Sequence, residues 1–212
     1  MDVSAPLTTP ARPVAICELS SQELSAAAAV LGRGMRDNPL HLRVFGDDPP
    51  AREAALTRLF DALLRRHLTT DAAVVLGAFV DGTLVGVCAM VRPGRCQPRF
   101  ADKLRLLPSL LGGGGMALTL RVIDWTSQWS KRDPDTGHWH LGPVGVDRAL
   151  QGQGIGSRLL TEFCARMDAL PSASYLETDK PENVVFYEKF GFQVIGDAAV
   201  MGVPNWFMVR TP

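Results

Sequence analysis

Tyrosine and cysteine are scarce in this chain of 212 residues, with two and four copies, and neither sign of charge is in excess. Lys+Arg and Asp+Glu both total 22, so the chain has no overall electrostatic reason to condense on nucleic acid or an anionic membrane. The cysteines Cys17, Cys88, Cys96 and Cys164 form no C-x-x-C pair and no zinc-ligand spacing, and they are read as reduced thiols. That usage points to the cytoplasm. The four histidines are scattered apart from the pair His138 and His140, so no metal site is expected. Cys164 lies beside Phe163 in a helical pattern, where it reads as core rather than as a nucleophile. No apolar run approaches the roughly 20 residues that span a bilayer. The start, MDVSAPLTTPARP, has no charged segment followed by an apolar block, as a secretory signal would. The expectation is a soluble cytoplasmic protein with neither nucleic-acid nor membrane partners.

What is present suits a globular fold, with 46% hydrophobic and 21% charged residues. Residues 1–12 are small, polar and proline-containing and read as a flexible tail, leaving 13–212 as one domain. VAICEL (14–19) reads as a strand, and Ser20, Ser21 and Glu23 offer a capping box for a helix from Gln22 to about Met35. Asn38-Pro39 breaks that helix, and the stretch from Arg36 to Phe45 reads as a loop. A second helix follows Pro49-Pro50, with Leu56, Leu59, Phe60, Leu63 and Leu64 on one face and Arg52, Arg58, Asp61 and Arg65 on the other. Residues 73–91 read as a hairpin turning at Asp81-Gly82. In the stretch 93–136, Gly112 to Gly115 read as a flexible joint before a helix at about 116–130 that carries Trp125 and Trp129. No Lys-Ser or Lys-Thr pair follows these glycines, which excludes a nucleotide P-loop.

The later half alternates: a strand at 138–146 interrupted at Gly142-Pro143, a helix at 152–169, a strand at 174–178, a short helix at 182–190, and strands at 192–200 and 205–210. Between the first strand and helix lies Gln151-Gly152-Gln153-Gly154-Ile155-Gly156-Ser157. A helix N-terminus presents amides without internal partners and a partial positive charge, and glycine lets an anion approach the backbone. Such a turn suits a pyrophosphate. The dinucleotide pattern G-x-G-x-x-G needs its third glycine where Ser157 or Leu159 stands, so the spacing is wrong for it.

The pattern Gln151-x-x-Gly154-x-Gly156 after Val144-Gly145-Val146 resembles the acetyl-CoA signature of the GNAT acetyltransferases. Leu176-Glu177-Thr178, Asn183 and Phe186-Tyr187-Glu188-Lys189-Phe190-Gly191-Phe192 are similar to the family's second block, at the expected distance downstream. The resemblance covers roughly residues 138–200. From Trp139 onward the chain looks most like small-molecule acetylating enzymes of the puromycin N-acetyltransferase type. The resemblance implies the α/β (α+β) GNAT fold: a mixed, mostly antiparallel sheet, flanked by helices and splayed between two central parallel strands, here 138–146 and 174–178. Gly142-Pro143 is a plausible bulge for the splay. Acetyl-CoA would lay its pantetheine arm along Val144, Gly145 and Val146. Its pyrophosphate would sit on the amides of Gly152, Gln153, Gly154, Ile155, Gly156 and Ser157.

The family's leaving-group acid matches Tyr187, whose phenol is protonated at neutral pH. The family's asparagine beside the cofactor arm matches Asn183, which reads equally as a helix N-cap. His140 is the candidate base, with a pKa near 6.5 in the unperturbed residue. His138 shares its strand face and forms a possible relay. Glu177 on the neighbouring strand is the alternative base.

These residues imply transfer of an acetyl group from acetyl-CoA, the co-substrate, to a primary amine of a small molecule by direct attack in a ternary complex. The alternatives are a protein N-terminal or lysine acetyltransferase, or a non-catalytic acyl-CoA-binding module. The chain is expected as a monomer or homodimer, with the apolar strand PNWFMV as a candidate interface edge.

Overall fold

The computed structural model describes residues 13–96 and 100–212, with the side chains of 100–114 outside the description. The expected tail at 1–12 also lies outside the described residues. The elements run β1 (Val14–Glu18), α1 (Leu24–Met35), α2 (Pro39–Phe45), α3 (Pro49–Thr69), β2 (Ala73–Val80), β3 (Thr83–Val91), α4 (Phe100–Ser130), β4 (His138–Val146), α5 (Ile155–Asp168), β5 (Ala173–Thr178), α6 (Pro181–Glu188), β6 (Gln193–Val200) and β7 (Val203–Arg210). One seven-stranded sheet has the order β1-β2-β3-β4-β5-β7-β6. Every neighbouring pair is antiparallel except β4 and β5, which are parallel.

Local chemistry accounts for most boundaries. Asp81 and Gly82 both take positive φ, as a two-residue hairpin turn requires. Glu23 accepts a hydrogen bond from the Ser20 backbone N–H at 2.8 Å, one half of the expected capping box. Alternation along the strands then sorts side chains to two faces. On one face, Val75, Val87 and Ala89 meet α1 and α3 through Leu31, Leu56, Phe60 and Leu64. On the other, Leu76, Cys88 and Met90 meet Leu159, Leu160 and Phe163 of α5. The last three are fully buried, and each contributes about 1.5–3 kcal/mol by leaving water. A third cluster joins Leu40 and Val44 of α2 and Trp125 of α4 to Tyr175 and Phe207.

Four expectations are corrected. The loop between Arg36 and Phe45 contains α2, because Pro39 opens a helix as readily as it ends one. Arg52 does not lie on a solvent face. It is buried, donating to Arg36 O at 2.7 Å, Gly46 O at 2.6 Å and Asp37 Oδ1 at 2.8 Å, and so ties α1, α2 and α3 together. Helix begins at Phe100, and the break in the glycine run is confined to Gly115, with φ 68°. The strand containing PNWFMV is not an edge: β7 lies between β5 and β6, and β6 is the edge strand.

Candidate functional site

β4 and β5 pair through only three couples: His138 with Ala173, Trp139 with Ser174, and His140 with Tyr175. β4 then continues along β3, and β5 along β7, so the two diverge and leave one edge of Leu141–Val146 open toward the gap. The interruption expected at Gly142-Pro143 coincides with an irregularity on the other edge of β4. The β3–β4 register shifts between Cys88, opposite Val144, and Met90, opposite Leu141, which brackets Gly142-Pro143. That peptide bond is cis, and Pro143 has no N–H for a ladder.

At the end of this open strand the chain enters the glycine turn. Gly152 and Gly154 take φ of 77° and 81°, left-handed torsions that glycine adopts without strain, and a Cβ on either would meet nothing within 4 Å. Gly154 caps α5, and the helix's first backbone bond runs from Arg158 N–H to Gly154 O. Among the described residues, the amides of residues 152–157 donate to no other backbone group. Several of these N–H groups lie at a helix N-terminus, the kind of position at which backbone amides meet an anion. Gln151 plays a different part. Its side-chain amide donates to Gly34 O at 2.9 Å and Val146 O at 3.0 Å, fastening the end of α1 to β4.

α6 borders the turn, since a Cβ on Gly156 would lie 3.6 Å from Phe186. Tyr187 follows, buried against Phe186 and Phe192 at ring distances of 5.4 and 5.9 Å. Burial, then the neighbouring Cys88 and Asp179, raise its phenol above the ordinary value, which keeps it protonated. Asn183 is not the cap, a place taken by Lys180. It donates to Thr178 Oγ1 at 3.1 Å and ties α6 to β5.

His138, His140 and Glu177 lie on the opposite face from Tyr187. Tyr187 belongs with Trp139, Leu141 and Leu176, whereas His138 and His140 lie edge-on to Tyr175, at 5.3 and 5.5 Å. His140 Nε2 is 3.0 Å from Glu177 Oε2, and His138 Nε2 is 3.1 Å from Asp133 Oδ1. Burial opposes charge on His138, and Asp133, Cys96 and the Thr136 carbonyl outweigh it, pushing the pKa to about 10. Burial likewise opposes charge on His140, and Glu177 and Cys96 overcome it, raising the pKa well above 6.5. The gap thus has candidate bases on one side of the sheet and the candidate acid on the other. Sequence reasoning missed Asp133, Cys96 and the fully buried Tyr175, because none sits in a motif.

The sequence profile described as the acetyltransferase (GNAT) family matches residues 42–192. The chain belongs to the GNAT family of acetyltransferases. It is therefore an acyltransferase, and the GNAT fold expected from residues 138–200 extends over the whole described sheet. Solved structures agree on the fold. One is the histone acetyltransferase HPA2 and related acetyltransferase from Corynebacterium glutamicum, 22% identical over 94% of this chain and 96% of that one, with a TM-score of 0.70. Another is the PaiA N-acetyltransferase from Thermoplasma acidophilum in complex with coenzyme A, 15% identical over 94% and 99%, with a TM-score of 0.60. A third is the Drosophila melanogaster polyamine N-acetyltransferase, 15% identical over 94% and 100%, with a TM-score of 0.62. None of the three names is that of a puromycin N-acetyltransferase. No helix among the described residues of this GNAT chain is long and apolar enough to cross a membrane.

Proposed function

We propose that this GNAT protein transfers the acetyl group of acetyl-CoA to a primary amine of a small molecule. The observation that carries the reading is the pairing of a gap between β4 and β5 with a turn of free amides at its mouth. The pantetheine arm would pair with the open edge of Val144–Val146, and the pyrophosphate with the amides of residues 152–157. A coenzyme A complex of the Thermoplasma relative supports this cofactor class.

In the reaction the amine nitrogen attacks the thioester carbonyl carbon and the C–S bond breaks. Tyr187 gives its phenolic proton to the departing sulfur. The proton of the attacking amine passes to the His140–Glu177 pair, directly or through water. The raised pKa holds His140 protonated at neutral pH, so the Glu177 carboxylate is the acceptor there, and His140, with His138 beyond as a relay, accepts only once deprotonated. The Drosophila polyamine N-acetyltransferase supports a small amine as acceptor, while the Corynebacterium structure, described as a histone acetyltransferase and related acetyltransferase, keeps a protein acceptor as the second reading.

Calorimetric titration with acetyl-CoA tests the donor. Micromolar binding by the native protein, abolished by Gly154→Glu with the circular dichroism unchanged, is expected. An absence of binding by the native protein would overturn the reading. Thiol release with amines, against peptides carrying a free N-terminus or lysine, then separates the small-molecule function from protein acetylation, and an absence of release with any of them indicates a non-catalytic module.

A further inference from the structure

We propose that Cys96, Asp133, His138 and His140 form a binding site for a divalent metal ion of the zinc type. The four come from three separate places: the segment after β3, the turn after α4, and the start of β4. One donor atom from each lies within 4.8 Å of every other. Zinc bonds of about 2.0–2.3 Å in a tetrahedron set ligand-to-ligand edges of roughly 3.3–3.8 Å. Here Cys96 Sγ is 3.6 Å from His138 Nε2, and Asp133 Oδ1 is 3.1 Å from His138 Nε2 and 4.0 Å from His140 Nδ1. The other donor pairs lie within 4.8 Å, so side-chain adjustments of up to about 1 Å would seat an ion.

The orientation of the imidazoles is the stronger argument. His138 Nδ1 is 2.8 Å from the Thr136 carbonyl oxygen, and His140 Nε2 is 3.0 Å from Glu177 Oε2. Each ring therefore has its outer nitrogen engaged by an oxygen and turns the other nitrogen toward Cys96 and Asp133. That is the arrangement of metal-bound histidines, whose second N–H is held by a carbonyl or carboxylate that fixes the ring. His140 Nδ1 is buried and, among the described residues, no side-chain or backbone group satisfies it at hydrogen-bond geometry. An ion among these donors would replace the protons that otherwise separate them.

The donor set decides the metal. One thiolate, two imidazoles and one carboxylate are borderline-soft ligands for zinc or cobalt and a poor match for magnesium or calcium. A surface cavity of ≈ 130 Å³, lined in part by Cys96, Asp133, Thr136 and His138, gives an ion a route in that avoids the β4–β5 gap. The site shares His140 with the proposed acetyl transfer, where an ion on Nδ1 would leave Glu177 as the proton acceptor, and it does not rest on that transfer, because binding is read in the absence of acetyl-CoA.

Tag-free protein, stripped with a chelator and dialysed, is titrated with cobalt(II) and then zinc(II). The expected result is one cobalt per chain, with a thiolate-to-cobalt charge-transfer band and the intense visible bands of tetrahedral geometry, displaced by one equivalent of zinc. Cys96→Ser removes the charge-transfer band and Asp133→Asn weakens uptake. Glu177→Gln lowers affinity by about tenfold or more through loss of ring orientation. Cys17→Ser, at an exposed thiol, changes none of these. Circular dichroism establishes that each variant is folded. Absence of stoichiometric uptake by the native protein, an octahedral spectrum, or an unchanged spectrum in Cys96→Ser would overturn the proposal.

Discussion

His140 and Glu177 face one another at 3.0 Å across two parallel strands, immediately beyond the last point at which those strands pair. The pair sits where the sheet opens, with the Glu177 side chain only 4% exposed and that of His140 21%.

Glu177→Gln removes the carboxylate that orients His140 and leaves the cofactor turn untouched. Acetyl transfer should fall about 100-fold, the lower end of what a positioned proton acceptor supplies, with acetyl-CoA affinity unchanged. His140→Ala should act similarly. Tyr187→Phe should also lower turnover while binding persists. Steady-state thiol release together with calorimetry checks all three, and wild-type turnover in every variant would discard these roles.

Gly34→Ala addresses how α1 supports the site. A Cβ there would stand 2.3 Å from the Val146 carbonyl oxygen, which is backbone and cannot swing aside. The helix must withdraw from β4, breaking the Gln151 tie to Gly34 O. A loss of about 1–3 kcal/mol in urea unfolding is expected, with weaker acetyl-CoA binding. Unaltered stability would mean that α1 and β4 are not in this contact in solution.

Arg52→Met keeps the length of a buried side chain and removes its three hydrogen bonds. It leaves Arg36 O and Gly46 O without their donor and deprives Asp37, which Arg36 and Arg52 hold well below the usual carboxylate range, of one partner. A destabilisation of about 3 kcal/mol is expected, read as a lower urea midpoint at an unchanged slope.

Acid should destabilise the fold through His67. Burial, followed by the charges of Arg66 and His140, depresses its pKa to about 4. The unfolded chain, with a pKa near 6.5, binds the proton more readily. The His67 contribution is therefore complete above pH 6.5 and declines as pH falls from there toward 4, by up to about 3 kcal/mol, while His138 and His140, with raised values, act in the opposite sense and lose stability as pH rises above 6.5. Fully buried His41, also lowered by burial, acts in the same direction as His67. The urea midpoint at pH 5 relative to that at pH 7 should be lower in the native protein than in His67→Leu, since the contributions of His138 and His140 are common to both. An equal acid response in both would assign it elsewhere.

The glycine turn was legible because its torsions are local: Gly152 and Gly154 need left-handed φ whatever packs around them. The interruption at Gly142-Pro143 was legible because proline cannot donate to a ladder. Arg52 was misassigned for the opposite reason. Its place on α3 follows from helical period, but its burial depends on three acceptors brought by α1 and by the turn after α2. β7 was taken for an edge because strand order is not encoded within a strand.

By itself, the sequence determined the family, the order of most elements, the glycine turn and the candidate acid on α6. These rest on residues close together in the chain, where torsional preference and motif spacing act directly. Only the tertiary structure decided that Glu177 meets His140, that Tyr187 faces the other side of the sheet, and that Cys96 and Asp133 join the two histidines. Those meetings depend on strand pairing and helix packing between distant segments, and the physical reason is that long-range hydrophobic burial, not local propensity, sets which distant residues become neighbours.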